Sequence, residues 1–207
     1  DVRSRRQRQM CIRHRVYTIA SGNRLVALKI DSGEVAWIKQ YPTANTDPGY
    51  LGGVQKVALV YHDKRLYIGT NDGSRGAAFS ADATNGDVLT SFWGVPRPGE
   101  MGYDSWGSAS EANRTGATPW VHPAVDPELN MVYWTFGNSR GGSSQDGSSR
   151  PGMNLFANSI VALDLKTGEY KWHFQSVHHD IWDMDNVMSP VLALSLIHIS
   201  EPTRLLS

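Results

Sequence analysis

Apolar residues occur along this chain in short runs, and polar stretches that contain glycine separate the runs. Three segments repeat the pattern so closely that they align without gaps: residues 25–37 (LVALKIDSGEVAW), 78–90 (AFSADATNGDVLT) and 160–172 (IVALDLKTGEYKW). Each predicts a β-hairpin whose turn ends on glycine, the residue that best tolerates a positive φ angle. Helical periodicity is weak throughout, so the pattern predicts an all-β fold.

The repeat also has a characteristic position four residues after the turn glycine. Trp37 and Trp172 occupy it in the first and third copies, and Thr90 occupies it in the second. We expect a tryptophan there to be a large apolar anchor between neighbouring sheets. Further strands are predicted ahead of the hairpins, at residues 16–21, 65–70 and 131–137.

Repeated sets of short antiparallel strands are typical of a β-propeller. We therefore expect an incomplete propeller of about three blades with tryptophan-docking repeats. An ordinary β-sandwich is the alternative, but it does not explain a repeated turn-plus-tryptophan unit. Two long loops, at about residues 94–119 and 138–158, interrupt the repeat, and such insertions in a β scaffold often carry binding sites.

Composition narrows the functional classes. The 207 residues are 40% hydrophobic, which supports a packed core, and no apolar run is long enough to cross a bilayer. The formal net charge is zero, although six arginines lie within residues 1–15. Without residues 1–15 and 195–207 the chain has 13 basic and 18 acidic residues, a balance that does not suggest nucleic-acid binding. Cys11 is the only cysteine, which excludes an internal disulfide.

The two ends do not fit the pattern of the rest of the chain. DVRSRRQRQMCIRHR has a block of like charge without periodicity, and SLIHISEPTRLLS follows no turn signal. Both resemble translated sequencing-adapter segments, so we interpret residues 1–15 and 195–207 as non-native. A genuine basic arm and an amphipathic tail are the alternative. The propeller domain is then residues 16–194.

Residues 178–185 (HHDIWDMD) concentrate acids and bases in one short segment. Asp180, Asp183 and Asp185 cannot all be buried as charges without cations or hydrogen-bond donors nearby. A solvated loop and a transition-metal cluster are alternatives, although adjacent histidines seldom chelate one ion. The interleaved apolar residues indicate a partly buried segment, in which the pKa of a carboxylate can be tuned for base catalysis.

Other candidate residues lie beside strand ends. Asn71 and Asp72, in TNDGSRG, offer hard oxygen ligands suited to calcium or magnesium, although an ordinary Asn-Asp-Gly turn explains that stretch better. Asn138 follows a strand in FGN, and Trp120, in ATPW, precedes residues 121–126. Each signal is weak alone, and what they share is their position.

The ordered combination of HPAVDPELNMVYWTFGN, RPGMNLFANSIVALDLKTGEYKWHFQ and VHHDIWDMD resembles the quinoprotein dehydrogenases over about residues 16–190. These are eight-bladed propellers that bind pyrroloquinoline quinone (PQQ) and calcium on the propeller axis. The resemblance implies that Asp183 is the catalytic base and a metal ligand, that Asn138 is a calcium ligand and that Trp120 lies under the quinone. Weaker matches are Asn71 and Asp72 as metal ligands, and Thr70 and Thr118 as hydroxyls that contact the quinone.

The mechanism that the resemblance implies is alcohol oxidation. The metal polarises a quinone carbonyl, Asp183 removes the hydroxyl proton, and hydride passes from the alcohol carbon to the quinone. Trp182 and the two histidines are expected to shape the loop that aims Asp183. Because Asp185 follows Asp183 by two residues, a lanthanide is an alternative to calcium. Asp183, Asn138 and Trp120 should then meet at one end of the propeller.

The resemblance further implies a periplasmic location, either soluble or attached to the inner membrane, with cytochrome c or ubiquinone as electron acceptor. The substrate is expected to be a small alcohol. A membrane-bound glucose or polyol dehydrogenase is one alternative, and a non-catalytic propeller scaffold is another. About three blades cannot close a propeller, so we expect this segment alone to be inactive and prone to aggregate.

Overall fold

A computed structural model describes residues 15–41, 59–70, 75–140 and 146–193. Within these ranges the chain forms antiparallel sheets and two short 3-10 helices, at Tyr103–Trp106 and Glu111–Asn113. The all-β prediction is confirmed. The strands are β1 Arg15–Ala20, β2 Arg24–Lys29, β3 Val35–Gln40, β4 Leu59–His62, β5 Arg65–Ile68, β6 Ala77–Asp82, β7 Val88–Trp93, β8 Thr115–Gly116, β9 Ala124–Asp126, β10 Met131–Thr135, β11 Ser139–Arg140, β12 Ser159–Asp164 and β13 Tyr170–Gln175.

Three sheets correspond to the three repeats. Their strand orders are β1-β2-β3, β4-β5-β6-β7 and β9-β10-β12-β13. Each predicted hairpin is present, as β2–β3, β6–β7 and β12–β13, and each has a register shift just before its turn. The turn glycines Gly33, Gly86 and Gly168 have φ angles of 71°, 79° and 72°, as the sequence predicts.

Neighbouring sheets contact each other through the predicted docking position. A Cβ atom placed on Gly86 would lie 3.0 Å from Cζ3 of Trp37, and one placed on Gly168 would lie 2.7 Å from Cβ of Thr90. The residue four positions after one turn glycine therefore packs on the turn glycine of the next sheet. Trp172 holds that position in the last sheet, where its side chain is 43% exposed.

Two tyrosines make a second repeated contact between sheets. The hydroxyl of Tyr17 donates to the carbonyl oxygen of Ala83 at 3.0 Å, and the hydroxyl of Tyr67 donates to that of Leu165 at 3.0 Å. Ala83 and Leu165 are each the first residue of the hairpin turn in the next sheet. Because each tyrosine occupies the third position of its strand, the contact fixes one sheet relative to the next.

Strands β5 and β10 end two residues before the sequence-predicted ends. Gly69 lies so close to the carbonyl group of Pro119 that a side chain there would overlap it. After β10, the amide of Gly137 leaves the sheet and donates to the carbonyl oxygen of Thr118 at 3.1 Å. These close approaches bring the ends of two sheets and residues 117–120 together.

The long loops contain short regular elements. The first holds both 3-10 helices and ends in β8, which pairs with β11 at the start of the second. The indole nitrogen of Trp106 donates to the carbonyl oxygen of Leu155 at 2.6 Å, which joins the loops again. Both loops share one core with the second and third sheets. Its largest members are Trp106, Trp134, Phe136 and Phe156.

Within the described ranges, no helix reaches the length and apolar character that a bilayer-spanning segment requires.

Candidate active site

Asn138 is the point at which two carboxylates converge. Its side-chain amide donates to Oδ1 of Asp183, and its backbone amide donates to Oδ1 of Asp185 at 2.6 Å. Asn138 is only 5% exposed because it follows β10 into the interior. The two aspartates lie 45 and 47 residues further along the chain. The structure therefore brings predicted metal ligands together across a large sequence separation.

Gly137 makes room for this arrangement. A Cβ atom placed on it would lie 2.5 Å from Oδ1 of Asp185 and 3.1 Å from Nε1 of Trp120. The indole of Trp120, a carboxylate oxygen and the backbone before Asn138 therefore meet at one spot. The three side chains expected to converge, those of residues 120, 138 and 183, lie at this spot or in contact with it.

The two predicted threonines are buried, and Thr118 is bonded to Gly137 next to the cluster. The hydroxyl oxygen of Thr70 accepts a hydrogen bond from the backbone amide of Ala77 at 2.8 Å. The carbonyl oxygen of Thr118 accepts the amide of Gly137. These bonds hold strand ends together, and contact with a quinone stays a prediction. The other predicted metal ligands, Asn71 and Asp72, lie outside the described residues.

The loop that carries Asp183 is organised by a different aspartate, Asp180, which the sequence did not single out. Asp180 is 3% exposed, and its carboxylate accepts the backbone amides of Trp182 at 2.8 Å and Met184 at 2.7 Å. These bonds bend the chain around Asp183, which has a φ angle of 62°. Bonds to the amides two and four residues later are typical of aspartate-capped turns, but nothing in the sequence distinguishes Asp180 from the two aspartates that follow it.

The histidines hold the loop, as the sequence predicts. A hydrogen bond of 2.7 Å joins Nδ1 of His178 to Oε1 of Gln175, and another of 2.7 Å joins Nδ1 of His179 to the carbonyl oxygen of Gly152. Trp182 shapes the loop through its backbone, and its side chain is 68% exposed. Only the backbone amide of Trp182 takes part in shaping the loop.

A buried arginine supports the loop from below. One guanidinium nitrogen of Arg150 donates to the carbonyl oxygen of Asp180 at 2.5 Å, and another donates to the side chain of Asn154 at 2.8 Å. Burial lowers the pKa of Arg150, and the charge of Asp180 opposes that shift. The sequence contained no pattern for this residue, because its function comes from packing across a loop.

The carboxylates at the site repel each other. Burial raises the pKa of Asp185, the amide of Asn138 opposes that rise, and the neighbouring charge of Asp183 adds to it. A bound cation would relieve this repulsion.

The donor set fits a hard metal ion. Within the described residues, no group of three or more His, Cys, Asp or Glu side chains is arranged to hold a metal. The ligands available here are instead two carboxylates and one amide, from Asp183, Asp185 and Asn138. Such oxygen ligands suit calcium or an ion of similar hardness. Because Gly137 has no side chain, the indole edge of Trp120 can approach the same place.

The chain is similar in sequence to a known family and to individual proteins of that family. Residues 70–198 match the family described as PQQ glucose/ethanol/alcohol dehydrogenase, beta-propeller domain. The chain is 34% identical to the quinoprotein alcohol dehydrogenase PedH of Pseudomonas putida, over 79% of this chain and 29% of that protein. It is 32% identical to the dehydrogenase subunit of an alcohol dehydrogenase (quinone) of Gluconacetobacter polyoxogenes, over 82% of this chain and 25% of that protein.

A solved structure shows the same fold. The quinohemoprotein alcohol dehydrogenase of Comamonas testosteroni matches with a TM-score of 0.69 and 29% identity, over 85% of this chain and 28% of that one. The chain thus spans between a quarter and a third of the length of these relatives. The prediction of a partial quinoprotein propeller is confirmed, and the chain belongs to the PQQ-dependent glucose/ethanol/alcohol dehydrogenase family.

Proposed function

We propose that the protein containing this chain oxidises an alcohol to an aldehyde or ketone with PQQ and a metal ion, and that Asp183 is the general base. Membership of the family supports dehydrogenase chemistry in general. The convergence of Asp183 and Asp185 on Asn138, with Trp120 alongside, is the observation that carries the proposal.

In this proposal Asn138, Asp183 and Asp185 hold the metal through oxygen atoms. We propose calcium, and a lanthanide is the alternative because Asp185, two residues after Asp183, adds a second negative carboxylate. Trp120 supplies an apolar ring on which a flat cofactor can stack. When bound, the quinone and metal together supply the hydride acceptor. Thr70 and Thr118 are proposed to contact the quinone through their hydroxyl groups. Asn71 and Asp72 are proposed as further metal ligands.

Asp183 is suited to accept a proton. Its side chain is exposed, so a substrate hydroxyl can reach it, and its backbone is held in the left-handed region. Such a strained conformation persists only where its surroundings impose it, and it is common at functional sites. The hydrogen bond from Asn138 leaves the carboxylate oriented while it takes the hydroxyl proton.

The test is an Asp183→Asn variant of the complete protein, reconstituted with PQQ and calcium or a lanthanide. Dye-linked alcohol oxidation should fall by ~10³-fold or more, while PQQ remains bound, because the amide cannot act as a base. Asp87→Asn, a change at an exposed aspartate paired with Lys39, is the control and should keep full activity. Near-normal turnover by the Asp183 variant would refute the assignment.

The substrate class is a small alcohol in this proposal, and the second candidate is a sugar or polyol, because the family description includes glucose. Comparing ethanol with glucose in the reconstituted protein decides between them. A wild-type protein that binds PQQ but oxidises neither would support a non-catalytic scaffold.

Electrons are proposed to leave to ubiquinone or cytochrome c in the periplasm. The relative from Gluconacetobacter polyoxogenes, named as an alcohol dehydrogenase (quinone), supports the first acceptor. This segment alone is expected to be inactive, since it spans under a third of its relatives.

A further inference from the structure

We propose that Asp180 and Asn158 are a positioning pair that holds residues 180–185 in the conformation presenting Asp183 and Asp185 to Asn138. The proposal rests on the function proposed above, because it concerns the aim of the same carboxylates. Neither member of the pair is offered as a base or a metal ligand. They act through backbone and side-chain bonds to their neighbours.

Asp180 determines the bend of the loop. Its Oδ1 accepts the amide of Trp182, and its Oδ2 accepts the amide of Met184, so the two bonds enclose Asp183 on both sides. Both carboxylate oxygens are used as acceptors. An asparagine has one acceptor oxygen, and its NH₂ group would face one of the two N–H groups. The left-handed conformation of Asp183 would then lose part of its support.

Asn158 joins this bend to the other half of the site. Its side-chain amide donates to Oδ2 of Asp180 at 3.2 Å and to the carbonyl oxygen of Met184. Its backbone amide donates to the carbonyl oxygen of Gly137 at 2.9 Å. Gly137 directly precedes Asn138, which receives both carboxylates. Asn158 therefore sets the separation between residues 180–185 and Asn138.

The pair is fully buried, which limits the alternative arrangements open to it. Asn158 is 0% exposed and Asp180 is 3% exposed. Water cannot readily replace a bond that either loses, so a change in one should move the loop rather than be absorbed by solvent. Asn158 has a φ angle of 50°, which glycine can also adopt. Asn158→Gly therefore removes the amide without forcing the backbone.

The chain contains a second pair of the same chemistry far from the site. Asn130 has a φ angle of 54°, and its side chain donates to Oδ2 of Asp164 at 2.8 Å. Oδ1 of Asp164 accepts the amides of Lys166 and Thr167 at 2.9 Å. Asp164 ends β12, whereas the candidate site lies beyond the opposite end of that strand. Asp164→Asn and Asn130→Gly are therefore matched controls.

The experiment titrates Tb³⁺ into the complete protein without PQQ, and terbium luminescence is excited through tryptophan. Asp180→Asn and Asn158→Gly should each weaken Tb³⁺ binding by ~10- to 100-fold, the usual effect of losing a residue that orients metal ligands. The control variants should bind Tb³⁺ like the wild type even where they lower the melting temperature. In the reconstituted protein, kcat should fall in the two site variants while KM for alcohol changes little.

Wild-type Tb³⁺ affinity in both site variants would overturn the proposal, as would equal weakening in all four variants. If Asp180→Asn does not fold, Asn158→Gly with its control Asn130→Gly decides the question. A wild type that does not bind Tb³⁺ also overturns it. A wild type that binds Tb³⁺, loses affinity in the two site variants and oxidises no alcohol supports the pair and refutes the proposed function.

Discussion

Replacement of Gly137 by alanine is a direct probe of the site, because Asp185 and Trp120 both approach the backbone closely at this residue, just before Asn138. The added Cβ would lie 2.5 Å from Oδ1 of Asp185 and 3.1 Å from Nε1 of Trp120. Gly137 is not among the glycines with a positive φ angle, so alanine itself is not strained there. The whole effect therefore comes from the contact with the site.

The magnitude follows from the distances. Ordinary contact begins at 3.4 Å, so Oδ1 of Asp185 must move by about 0.9 Å if the backbone stays in place. That oxygen accepts the amide of Asn138 at 2.6 Å, and a displacement of this size away from the amide would break the bond. A hydrogen bond to a charged group contributes about 1.5–3 kcal/mol, which corresponds to roughly 10- to 100-fold in metal affinity.

The assay is Tb³⁺ titration of the complete protein, followed by kcat/KM for alcohol after reconstitution. Gly99→Ala is the control. A Cβ atom added to Gly99 would have nothing within 4 Å, but the φ angle of 86° strains alanine there. We expect Gly99→Ala to lower the melting temperature and leave Tb³⁺ binding unchanged. Gly137→Ala should weaken Tb³⁺ binding, whatever its effect on the melting temperature. Wild-type Tb³⁺ affinity and kcat/KM in Gly137→Ala would refute the placement of Asp185 at the site.

Two further predictions concern stability. Tyr67→Phe removes the buried hydrogen bond to the carbonyl oxygen of Leu165 and should lower the free energy of unfolding, measured by urea denaturation, by about 1–2 kcal/mol. Tyr17→Phe removes the equivalent bond at a half-exposed position and should cost less. Equal losses in the two variants would contradict this. Backbone amides, first that of Thr167, hold the pKa of Asp164 at about 2, below its usual 3.8. The stability that the ionised Asp164 carboxylate contributes is complete above about pH 4 and is lost as the pH falls towards 2. In acid denaturation, Asp164→Asn should therefore lose less stability over that range than the wild type. Parallel curves for the two proteins would contradict this.

The fold could be predicted because its signals are local. Each hairpin depends on a turn glycine and on two short apolar runs within 13 residues, so the sequence contains the whole motif. Strand ends were less predictable. β5 stops where Gly69 meets the carbonyl of Pro119, a residue 50 positions later that local patterning does not report. Thr90 was an irregularity in the repeat until the structure showed it packing on Gly168.

The candidate site was predictable only in part. Asp183, Asn138 and Trp120 could be named because they resemble residues of a known family. Asp180 could not be separated from its neighbours, since all three aspartates have the same charge and similar spacing. Their difference lies in burial: Asp180 is 3% exposed, while Asp183 lies at the surface.

By itself, the sequence determined the all-β architecture, the three hairpins and the residue types available for chemistry, because turn geometry and alternation act between near neighbours. Only the tertiary structure decided that the carboxylate of Asp180 supports the loop and that the carboxylate of Asp183 is presented at the surface. That choice depends on Asn158, which donates to the carboxylate of Asp180 from 22 residues away, and on Arg150, which donates to the backbone carbonyl oxygen of Asp180 from 30 residues away. A buried carboxylate needs donors on every side, and folding alone determines which donors arrive.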